Sequence, residues 1–249
     1  MTALRRVLFS VRGVRVWSYP ALLYAGLVCG FYVVYAIAPH MGMRPDRAAA
    51  ATLALFVPAL AGARLWFVLD HWALYRSAPR RIWRHSEGGL ALYGGLVLAL
   101  VLSPPILAAL GLPFASFWDA ATFTILVGML FARVGCLLNG CCSGRRSDGP
   151  IGLRLPDHAG HWERRYPVAL LEMAASALLL AASASLLELG APRGTIFGFG
   201  LVGYAGVRFA LDRLREPSLR SSVSHRVALS AFLGCSLLAS ALGWLATGA

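Results

Sequence analysis

Phe131-Ala-Arg-Val-Gly-Cys-Leu-Leu-Asn-Gly-Cys-Cys-Ser-Gly-Arg145 ends a long apolar run with a guanidinium, an amide, three thiols and glycines at 135, 140 and 144. Arg133 stands inside the apolar part. A cation at the centre of a membrane helix costs about 2.5–3.5 kcal/mol on insertion scales, so such residues face a protein partner or a wet cavity rather than lipid. The segment therefore marks a membrane span and the first candidate for function at once.

Outward from it, the rest of the chain has the same character. Of 249 residues, 58% are hydrophobic and 14% charged, which is too apolar for an ordinary soluble domain. The mean hydropathy is +0.67. Apolar stretches of the roughly 20 residues that cross a bilayer can be read at about 17–38, 48–70, 89–111, 117–138, 167–189, 195–212 and 227–246. No segment alternates over about ten residues as a membrane barrel strand does. The expectation is an all-α, polytopic membrane protein of about seven transmembrane helices, with residues 1–249 forming a single domain. Arg5 and Arg6 ahead of the first run, with Ala36-Ile37-Ala38 after it, imitate a cleaved signal peptide, but the run is long for a signal core. Soluble excursions are expected at 39–47, 71–88, 139–167 and 213–226.

All 23 basic residues are arginine, against 11 acidic ones, for a formal charge of +12. They are spread among short loops instead of gathered on a soluble basic domain, which argues against nucleic acid. Most suit anionic headgroups at the membrane surface. Counted by loops, the arginine-rich side and the amino terminus would be cytoplasmic. Three arginines sit in or at the edge of spans: Arg64 in Ala61-Gly-Ala-Arg-Leu, Arg133, and Arg208 in Gly203-Tyr-Ala-Gly-Val-Arg-Phe. Guanidinium binds phosphate bidentately and stays charged when buried. Convergence of these three on one anion is one reading. A competing one pairs Arg208 with Asp212, four residues on along the same helical face.

Several blocks, in order, resemble the prolipoprotein diacylglyceryl transferase family. Val16-Trp-Ser-Tyr-Pro-Ala-Leu-Leu-Tyr-Ala-Gly is similar to its first-helix entry, and Gly62-Ala-Arg-Leu to its glycine-arginine-leucine step. Gly88-Gly-Leu-Ala-Leu-Tyr-Gly-Gly-Leu is similar to Gly-Gly-x-x-x-His-Gly-Gly-Leu. Residues 133–145 resemble the signature Arg-x-Gly-Asn-Phe-x-Asn-x-Glu-x-x-Gly-Arg. Arg165-Tyr-Pro-Val-Ala-Leu-Leu-Glu resembles Arg-His-Pro-Ser-Gln-Leu-Tyr-Glu, and Arg208-Phe-Ala-Leu-Asp-Arg-Leu-Arg-Glu-Pro the closing Arg-Phe-x-x-Glu-Phe-x-Arg.

The resemblance implies a multi-pass protein of the bacterial cytoplasmic (inner) membrane. Its active site would open to the extracytoplasmic face and laterally to lipid. It implies transfer of the diacylglyceryl group of phosphatidylglycerol to the thiol of a lipoprotein signal-peptide cysteine, with release of glycerol phosphate and no cofactor. It also places the amino terminus outside the cytoplasm, against the loop count, because arginines that bind phosphate are not topology signals. Two alternatives stand beside it: a paralogue moving an acyl or lipid group to another acceptor, and a non-catalytic phospholipid-binding or transport protein.

Alkyl transfer with a phosphate leaving group calls for a cationic clamp and in-line positioning of a thiolate. By match to the family's blocks, Arg133 and Arg208 are the clamp, with Arg64 and Arg145 in support. Tyr93, Asn139, Gly144 and Asp212 are expected to orient or bind the substrates. Tyr93 stands where the family has histidine, Cys136 where it has asparagine, and Cys141 where it has glutamate. An unperturbed tyrosine titrates near 10, so Tyr93 is a hydrogen-bonding group and not a base. Proton abstraction is then open among Asp212, Glu172, a Cys141 thiolate and water. Cys136, Cys141 and Cys142 are candidates for a disulfide, an active thiol or packing, and no metal site is expected. If Cys141 accepted an alkyl group it would become a stable thioether and stall, so covalent catalysis there would imply acyl transfer. Cys29 and Cys235 are expected as apolar fillers.

Overall fold

A computed structural model describes residues 7–11, 14–76, 82, 91–141, 144–156 and 161–216. A hairpin, β1 (Val7–Val11) and β2 (Val14–Trp17), leads directly into α1 (Ser18–Ile37). A 3₁₀ turn at Ala38–Met41 follows, then α2 (Pro45–Asp70), the single turn α3 (Trp72–Tyr75), α4 (Leu92–Ala109) and α5 (Phe114–Asn139). A second hairpin, β3 (Leu153–Pro156) and β4 (Trp162–Arg165), precedes α6 (Val168–Glu188) and α7 (Thr195–Asp212).

Among the described residues, five helical segments are long and apolar enough to cross a membrane: Ser18–Met41, Pro45–Asp70, Leu92–Ala109, Phe114–Asn139 and Val168–Glu188. They coincide with the first five expected spans. Helix α7 falls on the sixth, but its glycines and the charged Arg208 and Asp212 dilute its apolar character. The expected seventh span, together with Cys142 and Cys235, lies outside the described residues. The two antiparallel hairpins were not anticipated. Their strands of four or five residues are too short to register as alternating patterns, and both lie outside the spans.

Small residues set the packing, as they must where lipid removes the hydrophobic drive between helices. Helix α1 lies mainly on α5 and α2 on α4, while α6 and α7 pack on α5 and on each other. Between α2 and α4 the backbones touch: a Cβ on Gly62 would collide with the Gly94 carbonyl, and one on Gly95 would come within 2.7 Å of the Ala59 carbonyl. On α1, Gly30 leaves room for Thr124, whose hydroxyl donates to the Gly30 carbonyl at 2.9 Å. Gly200 makes the same allowance for Thr122.

The apolar core gathers at one end of the bundle, where Val34, Ala38, Leu55, Leu107, Phe117 and Trp118 are buried together. At that end Asp119, only 4% exposed, accepts from the backbone N–H groups of Gly194 at 2.6 Å and Phe197 at 2.8 Å. A buried carboxylate is thus spent capping the amino terminus of α7, whose orphan N–H groups and dipole favour an anion. The opposite end brings together the start of α4, the end of α5, the start of α6 and the end of α7.

Candidate active site

Glu172, one turn into α6, is fully buried at that opposite end. Its Oε2 lies 2.7 Å from Nε of Arg133. Its Oε1 accepts from Arg208 Nη1 at 2.8 Å and from Arg215 Nη2 at 2.7 Å. Arg133 also donates through Nη2 to the Tyr204 hydroxyl at 3.0 Å. Three guanidiniums therefore share one carboxylate. Arg208 and Arg133 keep 17% and 11% of their side chains accessible, against 5% for Arg215. The first two are thus the more accessible guanidiniums of the cluster.

Tyr93, at the start of α4, is buried against Ala205 of α7. It lies within electrostatic reach of Tyr204, Arg208, Glu172 and Arg133. Arg133 sits six residues from the end of α5, about 9 Å below the helix terminus at 1.5 Å per residue. The expensive intramembrane arginine is thus turned inward to a counter-ion.

Helix α5 ends in a left-handed Gly140, with φ of 71°. The Cys141 N–H returns to the Cys136 carbonyl at 3.1 Å and the Gly140 N–H to Leu137 at 3.2 Å. This is the Schellman closure, which glycine alone adopts without a Cβ penalty. The chain beyond is threaded between two other segments. Arg145 N donates to the Leu214 carbonyl at 2.8 Å, Tyr166 N to Arg145 O at 3.1 Å, and Ser147 N to Arg164 O at 2.9 Å.

Gly144 pairs with Arg215 across this small ladder, and a Cβ on it would strike the Tyr166 carbonyl. Buried Arg165 binds the Gly144 carbonyl at 3.2 Å, Glu163 at 2.7 Å and Glu216 at 3.3 Å. The segments around Arg133–Arg145, Arg165–Glu172 and Arg208–Glu216 are therefore joined by backbone as well as by Glu172.

A family model described as prolipoprotein diacylglyceryl transferase matches residues 6–246. The chain belongs to that family. Among its relatives, a phosphatidylglycerol–prolipoprotein diacylglyceryl transferase of Tropheryma whipplei (strain TW08/27) is 32% identical over 176 residues, covering 66% of this chain and 64% of the relative. One from Bacillus cereus (strain ATCC 14579) is 29% identical over 227 residues, 87% of this chain and 83% of its own length. One from Trichormus variabilis is 24% identical over 250 residues, 96% and 89%. The chain thus spans just under two thirds of the Tropheryma protein and most of the other two.

Not every residue expected from the diacylglyceryl transferase pattern joins the cluster. Arg133, Arg208 and Tyr93 do. Arg64 belongs to a separate set: its Nε donates to the Ile82 carbonyl at 3.0 Å and its guanidinium lies over Phe67 and Tyr75 at 5.9 and 5.6 Å. Arg208 pairs across helices with Glu172, so its bond is to α6 and not only along its own helix towards Asp212. Asp212 is buried at the end of α7, and its carbonyl accepts from Arg215 N at 3.2 Å. Asn139 is the half-buried last residue of α5.

Arg145 is exposed and stacks over Tyr166 at 5.3 Å. Hydrogen bonds with Ser147, and then with Arg145, hold the Tyr166 phenol below the usual tyrosine range. Cys141 points its thiol at the Cys136 carbonyl, 3.7 Å away, and lines a shallow surface indentation with Leu137, Leu155, Pro156, Val168 and Ala169. Among the described residues no three His, Cys, Asp or Glu side chains converge as a metal site.

Sequence reading missed Arg215 and Tyr204, and treated Glu172 only as one candidate base. Tyr204 and Glu172 had a signal. Tyr204 precedes Arg208 by four, the helical spacing that shares a face, whereas Arg215 stands three residues past the end of α7, where helical periodicity no longer points to it. Glu172 is an acid set early in an apolar segment, which calls for cations nearby. Both oxygens of Glu172 are engaged by guanidiniums, the placement of a counter-ion.

Proposed function

We propose that this chain transfers the diacylglyceryl group of phosphatidylglycerol to the thiol of a prolipoprotein cysteine, at the extracytoplasmic end of a bacterial cytoplasmic-membrane bundle. The observation that carries the reading is the set of three arginines gathered on one buried carboxylate. Relatives bearing that activity in their names support it.

In this reaction the acceptor thiolate attacks the glycerol carbon that bears the phosphate. A C–S bond forms, the C–O bond to phosphate breaks, and glycerol phosphate leaves with the electron pair. The phosphodiester begins with one negative charge and departs with nearly two. A clamp of arginines therefore binds the departing group more tightly than the substrate, which is the condition for lowering the barrier. Arg208 and Arg133, the more accessible of the three, meet the phosphate. Arg215 and Glu172 hold them in place, and the Tyr93 and Tyr204 hydroxyls orient donor oxygens. The thiol proton passes to water. Cys141 takes no covalent part, since an alkylated thiol would not release its group. Gly144, Arg145, Asn139 and Asp212 shape the wall on the loop side, and Arg64 holds the neighbouring segment after α2.

The test is release of glycerol phosphate by the purified protein in phosphatidylglycerol vesicles with a cysteine-bearing lipoprotein signal peptide. Arg133→Ala and Arg208→Ala are expected to lower the rate by about 100-fold or more, as removal of a transition-state donor does. Lipid binding without glycerol phosphate at any protein concentration would instead establish a lipid-binding protein. Turnover with a hydroxylamine-sensitive adduct on Cys141 would establish acyl transfer.

A further inference from the structure

Cys136 and Cys141 occupy the two Schellman positions whose side chains are brought together when a helix closes on a left-handed residue. The backbone bond between them is made, Cys141 N to Cys136 O at 3.1 Å, and the Cys141 thiol reaches the same carbonyl at 3.7 Å. Both are reduced thiols. They differ in access: Cys136 is 5% exposed, whereas Cys141 is half-buried and lines the indentation beside Tyr166. An accessible thiol backed by a buried one is the arrangement of an attacking and a resolving cysteine. A disulfide needs Cα atoms about 4.4–6.8 Å apart, and the 3.1 Å backbone bond between the two residues holds them within about that reach. Adjacent Cys141 and Cys142 would have to distort the peptide between them to pair.

We propose that Cys136 and Cys141 form a redox-active dithiol, a modification site that closes to an intramolecular disulfide by exchange with a disulfide-bearing oxidant. The Cys141 thiolate attacks one sulfur of the oxidant, forming a mixed disulfide and releasing the oxidant's first thiol. The Cys136 thiolate then attacks Sγ of Cys141, and the second thiol leaves. Two S–H bonds are lost and one S–S bond is formed. The two electrons and two protons end on the oxidant, now a dithiol. Closure fixes the turn at Gly140, from which the segment to Gly144 and Arg145 departs, and removes the thiol from the indentation.

The experiment treats the full chain in phosphatidylglycerol nanodiscs with oxidised glutathione, then denatures it, alkylates with N-ethylmaleimide and maps the peptide 134–145 by mass spectrometry. The expected product is lighter by two hydrogens and carries maleimide on Cys142 alone. Cys142→Ser should form the same cross-link and lose all maleimide labelling of that peptide. Cys136→Ser should leave glutathione trapped on Cys141. The proposal is overturned if Cys136 of the oxidised wild-type chain is alkylated, or if Cys142→Ser abolishes the cross-link. Neither readout uses transferase activity, so the result stands apart from the reaction proposed above.

Discussion

Replacing Glu172 by glutamine removes the one negative charge on which Arg133, Arg208 and Arg215 converge, while keeping the side chain's size and an amide oxygen. Each of the three contacts spans 2.7–2.8 Å between nitrogen and oxygen. With charge centres about 4 Å apart and an effective dielectric of about 20, each attraction is about 4 kcal/mol before desolvation. Most of that is offset by the cost of burying the charges and by the bonds glutamine retains. Breaking a buried ion pair by removing one partner costs about 3–5 kcal/mol in measured cases, because the other charge is left uncompensated.

For a chain of this size about 1 kcal/mol shifts Tm by roughly 2–4 °C. Glu172→Gln is therefore expected to lower Tm by roughly 6–20 °C in a neutral detergent. Because the uncompensated charges are positive, an anionic phospholipid supplies what the carboxylate did. Phosphatidylglycerol should restore at least half of the loss and phosphatidylcholine none. The double variant Glu172→Gln/Arg215→Gln should lose less than the two single losses added together, since the residues share one network. A Tm change below about 2 °C, on the same scale, or equal rescue by both lipids, would refute the counter-ion role.

Further expectations follow from single contacts. Gly144→Ala drives a methyl into the Tyr166 carbonyl and should cost about 2 kcal/mol, one for each of the two Arg145 backbone bonds it pushes apart; hydrogen exchange at Arg145 and Tyr166 reports it, and unchanged protection would count against the ladder. Asp119→Asn turns one acceptor of the α7 cap into a donor facing a backbone N–H and should destabilise by about 1–3 kcal/mol, read as a lower Tm with little change in the transfer rate of the folded fraction. Gly62→Ala collides with the Gly94 backbone and Leu98 and should cost about 1–3 kcal/mol by overpacking, measured by thermal unfolding. Arg133→Lys cannot reach Glu172 and Tyr204 with one planar group, so it should retain phospholipid binding but lose most of the transfer rate.

Spans were legible because a bilayer demands roughly 20 apolar residues, and the first six expected stretches agree with helices to within a few residues. The hairpins were not, since four or five residues carry too weak a pattern. Arg133 and Arg208 were legible because a charge in an apolar run is expensive wherever it is. Arg64 met the same criterion and yet belongs to a different set of contacts. Spacing along one helix cannot say which neighbour a side chain meets on another.

The sequence by itself determined the membrane class, the positions of the spans, the family and the two arginines that must find a counter-charge. It did so because bilayer thickness and the cost of intramembrane charge act locally, on composition and period. Tertiary structure alone decided that the counter-charge is Glu172, that Arg215 and Tyr204 complete the cluster, and that Asp119 is a helix cap. Each of these depends on which helix ends share one end of the bundle, and that is settled by glycines that let backbones touch across gaps of tens of residues.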